Sequence, residues 1–398
     1  MQKTTSYPFA LTSDQYAWLV LAVVYLASIA APFNQFKVPP ILPTLMEQFS
    51  VNLSQGGWLM SSVALTGLIL ALPAGLIIQR LGSRLSGLIA LGCLAGGAVL
   101  GALSPTFGVL AFSRIIEGIG IGLMGVIAPA TIAQWFPPQR QGAAMGIWAT
   151  WVPVGSVLMY NLAPYFSSAY GWQIVWWGGA VFSLLTAALY AWIVRQPPQD
   201  KPTDTASASL SLRQALANRD IWLLGVAFAC FNFILVSIST YYPTFLHKAY
   251  GYPLTRASFL SSITTLVVLI SAPAAGWLSD RLNSRRLLIA FPFLVIGSLL
   301  FLPFKVKGIG IILLLGFQGL LVGAIPTATF AAAPEVMRKP QWAGLGLAVV
   351  LFGQYFGQLT GPLVFGELVV RFDWFLAGLM LIPASLLGFA SALSVRIR

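Results

Sequence analysis

Arg114 and Glu117 stand three residues apart in a stretch otherwise without charge. On a helix that spacing places them about 60° apart on one face, close enough to neutralise each other. Two chemistries fit. The pair is either a static ion pair that holds its helix in place, or Glu117 exchanges a proton while Arg114 holds a substrate or tunes the carboxylate's proton affinity. Lys37 follows Trp18 by 19 residues, roughly 28 Å of helix, near the outer end of its segment. It reads as a lysine reaching for the membrane interface or as a cavity lysine that attracts anions. Asn34 lies one turn earlier on the same face. Further along, Asn232 and Ser239 share a face, Gln354 and Gln358 are one turn apart, and Gln318 sits in another apolar run. Such amides serve either as hydrogen bonds between helices or as ligand contacts.

Other chemistries are poorly supplied. One histidine, His247, and two cysteines, Cys93 and Cys230, cannot build an ordinary zinc site, and both cysteines read as small packing residues. No Gly-x-x-x-x-Gly-Lys-[Ser/Thr] motif is present, so neither metal nor nucleotide cofactor is expected. His247 stands beside Lys248 with no acid near it, which speaks against an enzyme.

The elements that must position these residues are membrane helices. Charged residues make up 8% of 398, against about 25% in a soluble domain, and 58% are apolar. The net charge of +12 is spread singly between apolar blocks, unlike the clustered face of a nucleic-acid binder. The first apolar stretch follows Asp14 and lacks a small-residue cleavage pattern, so it is read as a span and not a signal peptide. A span needs about 20 apolar residues. Uncharged runs cover 15–36, 48–79, 85–113, 118–139, 141–194, 221–246, 257–279, 287–304, 308–334, 340–366 and 374–395. The run 141–194 must fold back once, at Tyr170-Gly171-Trp172, and the fourth span, 107–135, crosses Arg114 and Glu117. The count is twelve. Trp172, Trp176 and Trp177 read as an interfacial belt. Lys and Arg concentrate in the loops that share a side with both termini, which places both termini in the cytoplasm.

Residues 195–219 form the one long polar stretch, with six spans on either side. The expected organisation is therefore a bundle at 1–194, a cytoplasmic linker at 195–219 and a second bundle at 220–398. Within the linker, Ser207 to Asp220 fits a short amphipathic helix on the membrane surface.

A shift of 201 residues aligns the halves. Gly75-Leu-Ile-Ile-Gln-Arg80-Leu-Gly-Ser-Arg84 falls on Gly276-Trp-Leu-Ser-Asp280-Arg281-Leu-Asn-Ser-Arg285. Leu59, Ser61, Leu65 and Ala74 repeat as Leu260, Ser262, Leu266 and Ala275, and Gly118 and Gly122 as Gly319 and Gly323. An even number of spans per repeat gives the halves parallel topology. Glycines at 92, 96, 97 and 101, and at 118, 120, 122 and 125, either let helices approach closely or mark bends.

On these motifs the chain resembles the major facilitator superfamily over its whole length. The second half keeps the loop signature Gly-x-Leu-x-Asp-Arg-x-x-x-Arg-Arg at Gly276, Leu278, Asp280, Arg281, Arg285 and Arg286. The first half has Gln79 where the family has Asp. Arg114-Ile-Ile-Glu117-Gly118-Ile-Gly120 is similar to the family's Arg-x-x-Gln-Gly-x-Gly, with Glu117 in place of Gln. Gln318-Gly319 keeps the family's pair. Pro153-Val-Gly155 departs from the Gly-Pro-x-x-Gly-Gly of drug/proton antiporters. The overall look is closest to bacterial small-anion and organic-anion permeases of the nitrate and cyanate type, although the second and eighth spans carry no arginine within them, Arg256 lying at the outer edge.

The resemblance implies an all-α membrane protein of twelve transmembrane helices in two six-helix bundles related by a pseudo-two-fold axis. It would be a secondary active transporter of the plasma (inner) membrane, working as a monomer by alternating access and coupled to protons or another ion. The substrate would be a small anion or small polar organic solute. An exporter of amphiphilic compounds is the alternative; a membrane-embedded enzyme or channel is more remote. The first, fourth, seventh and tenth spans would line one central site, carrying Asn34, Lys37, Arg114, Asn232, Ser239 and Gln318. Gln354 and Gln358 of the eleventh span join that set, and Trp148, Trp151 and Tyr160 of the fifth could wall it. Gly75, Arg80, Arg84, Gly276, Asp280, Arg281 and Arg285 would form a conformational latch. Asp280 is expected to approach the start of the fifth span near Gly142 when the cytoplasmic side closes.

Overall fold

A computed structural model describes residues 12–71, 73–195, 217–282, 284–337 and 342–396. Twelve of its helices are long and apolar enough to cross a membrane, and no strand occurs among the described residues. The spans are Asp14–Phe49, Leu53–Leu70, Arg80–Ala102, Phe107–Trp135, Gln139–Tyr170, Gln173–Ile193, Arg219–Tyr250, Leu254–Ser279, Arg285–Phe304, Ile309–Met337, Gly344–Arg371 and Trp374–Ser394. Helix is the forced choice here, because lipid offers no partner to an unpaired backbone group. The proposed surface helix at Ser207 to Asp220 lies almost wholly outside the described residues.

Span starts are set by local chemistry. Thr12 and Asn52 form capping boxes with Gln15 and Gln55, satisfying donors that a helix start leaves open. Thr106 and Asp373 cap the fourth and twelfth spans. The fold-back at residue 171 is a glycine with φ 85°, a value that costs a residue with a Cβ.

The 201-residue offset carries over to backbone geometry. Phe49 and Tyr250 end equivalent helices, and the next residues, Ser50 and Gly251, are both left-handed, at φ 50° and 68°. Tyr170 and Arg371 match as helix ends, and Gln173–Ile193 matches Trp374–Ser394. The fold is two six-helix bundles in the same orientation. They touch where the second span packs along the eleventh and the fifth along the eighth.

The seam is uneven. At the end away from the termini the apolar core runs on between the halves, from Ile41, Leu45 and Met159 to Tyr242, Phe245 and Phe304. Near the termini the first half keeps a separate core around Tyr16, Val20, Leu94, Ile127 and Tyr190. Tyr355 fills a small contact between, against Ala64 and Ala71. The apolar core shared by the halves thus lies at the end away from the termini, and the contact nearer the termini is the smaller one around Tyr355.

Candidate functional site

The site begins with a helix that cannot continue. Helix Ser13–Gln35 stops short of Pro39 and Pro40. Pro39 has no N–H to give the Gln35 carbonyl, so that acceptor stays open at the negative end of the helix. Arg114 takes it. Its Nη2 donates to Gln35 O at 2.9 Å, its Nη1 to Asn34 O at 2.8 Å, and its Nε to Leu59 O of the second span at 3.1 Å. Nη1 also bonds Glu117 Oε2, one turn along the fourth span. One guanidinium thus ties three spans together.

Glu117 is shared. Its other oxygen accepts from Lys37 Nζ at 2.5 Å. Lys37 leaves the broken helix just past its end, donates to Asn34 Oδ1 at 3.1 Å, and lies 4.6 Å from the Trp176 ring centroid. Asn34 Nδ2 donates to Ser183 Oγ of the sixth span at 3.0 Å. Lys37, Arg114, Glu117 and Asn34 are all at 0% exposure. A glycine makes room for the cluster, since a Cβ at Gly97 would lie 2.6 Å from Glu117 Cγ. Close approach is thus the role of Gly97, whereas Gly92 and Gly96 face open space.

Two cations share one carboxylate, so the fully ionised cluster carries one net positive charge. Removing one partner of such a buried pair costs about 3–5 kcal/mol, because a bare charge is left behind.

A second polar chain crosses the seam. Gln35 Nε2 donates to Gln358 Oε1 at 3.2 Å, and Gln358 Nε2 donates to Asn232 Oδ1 at 3.2 Å. Gln35 therefore serves both systems, giving its carbonyl to Arg114 and its amide to the second half. Tyr160 Oη donates to Ser239 O at 2.6 Å. Tyr241 Oη lies between the carbonyls of Leu53, at 3.0 Å, and Pro362, at 2.8 Å.

The second half holds a cavity of about 70 Å³, whose walls include Leu235, Ile238, Ser239, Leu315 and Gln318. Gln318 is 6% exposed, and its Nε2 has no partner.

Several expectations change. Lys37 neither reaches the interface nor faces an open cavity, because Glu117 holds it inside the bundle. Trp172 and Trp176 are no interfacial belt. They are 4% and 0% exposed and pack edge to face on each other, since Trp176 must cover the Lys37 ammonium. Trp177, 39% exposed, does face outward. Gln358 carries the cross-half bonds, while Gln354 stays half-buried one turn away. Trp151 stacks on Trp148, which bonds Ser28. Gln35, Ser183, Tyr241 and Tyr355 escaped the sequence reading. The Pro39-Pro40 helix break, which frees the Gln35 carbonyl, is the signal that could have found Gln35.

The loop residues are occupied within their own halves. Arg84 donates to Ala191 O at 2.6 Å, Arg285 pairs with Glu335 at 3.0 Å, and Arg281 lies 4.1 Å from the Trp277 ring. Arg80 and Gly75 are exposed. A Cβ at Gly276 would meet Thr327, and one at Gly142 would meet nothing within 4 Å. The side chains of Gln79 and Asp280 lie outside the described residues.

The model of the Major Facilitator Superfamily matches residues 24–338. The hexuronate transporter of Bacillus subtilis is 22% identical over 79% of this chain and 75% of its own length. A probable sulfoacetate transporter of Cupriavidus necator is 23% identical over 89% of this chain and 87% of its own. The galacturonate transporter of Dickeya chrysanthemi is 21% identical over 66% and 81%. Among solved structures, a bacterial homologue of the human lysosomal transporter Spinster, inward-facing and occupied, superposes with a TM-score of 0.71. It is 17% identical and covers 96% of this chain and 94% of that one. These matches accord with a multi-pass protein of the plasma membrane, and the chain belongs to the major facilitator superfamily as a membrane transporter and not an enzyme.

Proposed function

We propose that the chain is a secondary active transporter of a small organic anion, driven by protons. Arg114 and Lys37 supply the positive charge that receives the anion, and Glu117 exchanges the proton. The observation that carries the reading is the single carboxylate of Glu117, buried between both cations. Similarity to carriers named for hexuronate, galacturonate and sulfoacetate, all anions, supports it.

The mechanism follows from charge. With Glu117 ionised, both cations are engaged and an anion must compete with the carboxylate. Protonating Glu117 removes that competitor and raises the net charge from one to two. An anion then restores the original charge. Proton and anion therefore bind better together than apart, which is positive coupling between two sites and the requirement for symport. The helix end that Arg114 holds is the same Gln35 that bonds Gln358 across the seam, so release of Arg114 loosens a contact between the bundles. Rocking of one bundle on the other then moves the site from one side to the other.

With both termini placed in the cytoplasm, the end at which the apolar core is continuous between the halves faces outward. The bundles at 1–194 and 220–398 would move as one monomer's two bodies, with 195–219 as their tether.

Thermal shift of purified protein tests the class. Small carboxylates and sulfonates should raise the melting temperature, more at pH 5.5 than at pH 8. Amines or uncharged amphiphiles as the stabilising class, at either pH, would refute it.

A further inference from the structure

The end of the molecule away from the termini carries its positive charge on one half only. Apart from the buried Lys37, five cations lie there, Lys248, Arg256, Lys305, Lys307 and Arg371, and all five belong to the second half. The 201-residue offset pairs them with Glu47, Gln55, Ser104, Thr106 and Tyr170 of the first half, where no cation occurs. With the termini placed inside, this is the outer face, on which membrane proteins keep Lys and Arg scarce. We propose that the turn between the ninth and tenth spans, with Arg256 nearby, binds the phosphate of an anionic phospholipid whose acyl chain lies along the tenth span.

The cations of this turn are available and held in place. Arg371 is taken by Glu367 at 2.7 Å, and Asp373 accepts from the Leu376 N–H. Arg256, Lys305 and Lys307 are exposed and form no ion pair among the described residues. Each lies over a ring instead. Lys305 Nζ is 3.8 Å from the Phe375 centroid, Lys307 Nζ 5.0 Å from that of Tyr250, and Arg256 Cζ 4.5 Å from that of Tyr252. A ring steadies a cation without cancelling its charge, so much of the side chain's freedom is lost before an anion arrives.

The three seats adjoin. The rings of Tyr250 and Tyr252 are 6.1 Å apart. Phe245 lies 4.9 Å from Tyr250 and 5.4 Å from Trp374, the neighbour of Phe375. Tyr and Trp at span ends sit at headgroup level, which puts the cations where lipid phosphates are.

A lipid also needs an apolar face beneath its headgroup. Ile309 opens the tenth span two residues after Lys307. Ile309, Leu313, Phe317 and Leu320 are 70%, 67%, 47% and 56% exposed. Their spacing of four, four and three keeps them on one face of the helix. From Ile309 to Leu320 the helix rises roughly 16 Å, about half of a hydrocarbon core about 30 Å thick. Basic groups above an apolar track as long as one leaflet match both parts of an anionic phospholipid. A free anion has no use for the track.

Fluorescence quenching at the track tests the proposal. Ile309→Cys, in a Cys93→Ala/Cys230→Ala background of the full chain, is labelled with bimane and reconstituted into phosphatidylcholine vesicles. The quenchers are phosphatidylglycerol and phosphatidylcholine, each with a nitroxide near the carboxyl end of one chain. A cation close to an anionic headgroup is worth about fivefold in affinity. Phosphatidylglycerol should therefore quench at a mole fraction on the order of twenty-fivefold lower than phosphatidylcholine. Lys305→Gln/Lys307→Gln should erase most of that preference, and Lys305→Arg/Lys307→Arg should keep it. Unlabelled phosphatidylglycerol should relieve the quenching, and inorganic phosphate should not. Equal quenching by the two lipids, an unchanged preference in the Gln pair, or its loss in the Arg pair as well overturns the inference. Relief by inorganic phosphate would mark a site for free anions and overturn it too.

Discussion

At matching positions of two matching bundles stand a charged cluster and a cavity. Arg114, Glu117 and Lys37 in the first half correspond to Leu315, Gln318 and Ile238 in the second. The helices that carry them end within one residue of register, at Phe49 and Tyr250 and at Trp135 and Met337. The second half therefore shows that this scaffold folds with uncharged residues at these places. Buried ion pairs seldom stabilise a fold more than apolar side chains of similar size. On the proposed function, the charges of the first half serve the arrival of an anion or a proton, not the stability of the fold. The amide bonds between Gln35, Gln358 and Asn232 link the charged half to the neutral one.

The comparison breaks most sharply at Arg114. Arg114→Ala strips Glu117 of one partner and reopens the Asn34 and Gln35 carbonyls, at a cost of about 3–5 kcal/mol. It should lose anion binding or fail to fold, as read by size-exclusion profile and thermal shift. Arg114→Lys should recover only part, because an ammonium cannot reach several carbonyls with a planar fork. Full transport by Arg114→Ala would show that the cluster is dispensable.

The next effect comes from moving the charge across. Gln318→Glu puts a carboxylate in the neutral half with no cation beside it. A charge at mid-membrane costs about 2.5–3.5 kcal/mol, so the melting temperature should fall. Adding Leu315→Arg rebuilds the i,i+3 pair and should recover part of the loss. Equal stability of the single and double variants would mean that pairing does not govern tolerance of charge here.

A smaller effect is expected at the loops, where the halves differ again. Asp280 has Gln79 as its counterpart, so the proposed latch has one charged clasp and one neutral. A partly buried charge at a helix start is worth up to about 2 kcal/mol, enough to move a two-state equilibrium more than tenfold. Asp280→Asn should favour the form parted at the cytoplasmic side, and Gln79→Asp the form closed there. Spin-label distances between the bundles at that side report it. Unchanged distributions in both variants would leave these loops a role in topology alone.

Much of the architecture was legible in the sequence. The turn at Gly171 follows from an uncharged run too long for one span, and most of the twelve spans follow from where charge is absent, because lipid penalises charge strongly. Arg114 with Glu117 was legible for the same reason. The third member was not. Lys37 lies far from Glu117 in sequence, and helix length alone sends it to the interface. Lys37 lies just past the end of the helix at Gln35, before Pro39, and there its ammonium meets the carboxylate. Trp176 was misread on similar grounds, since an aromatic near a span end resembles a belt until the cation beneath it is seen. The cavity was invisible, because Leu235 and Ile238 look like core until three-dimensional packing leaves space beside them.

The most direct test of the account concerns Glu117 itself. Glu117→Gln in proteoliposomes should abolish accumulation of the anion under a pH gradient and leave counterflow exchange largely intact, because the amide keeps the side chain's shape but does not ionise. Uphill accumulation at the wild-type rate in Glu117→Gln would contradict it.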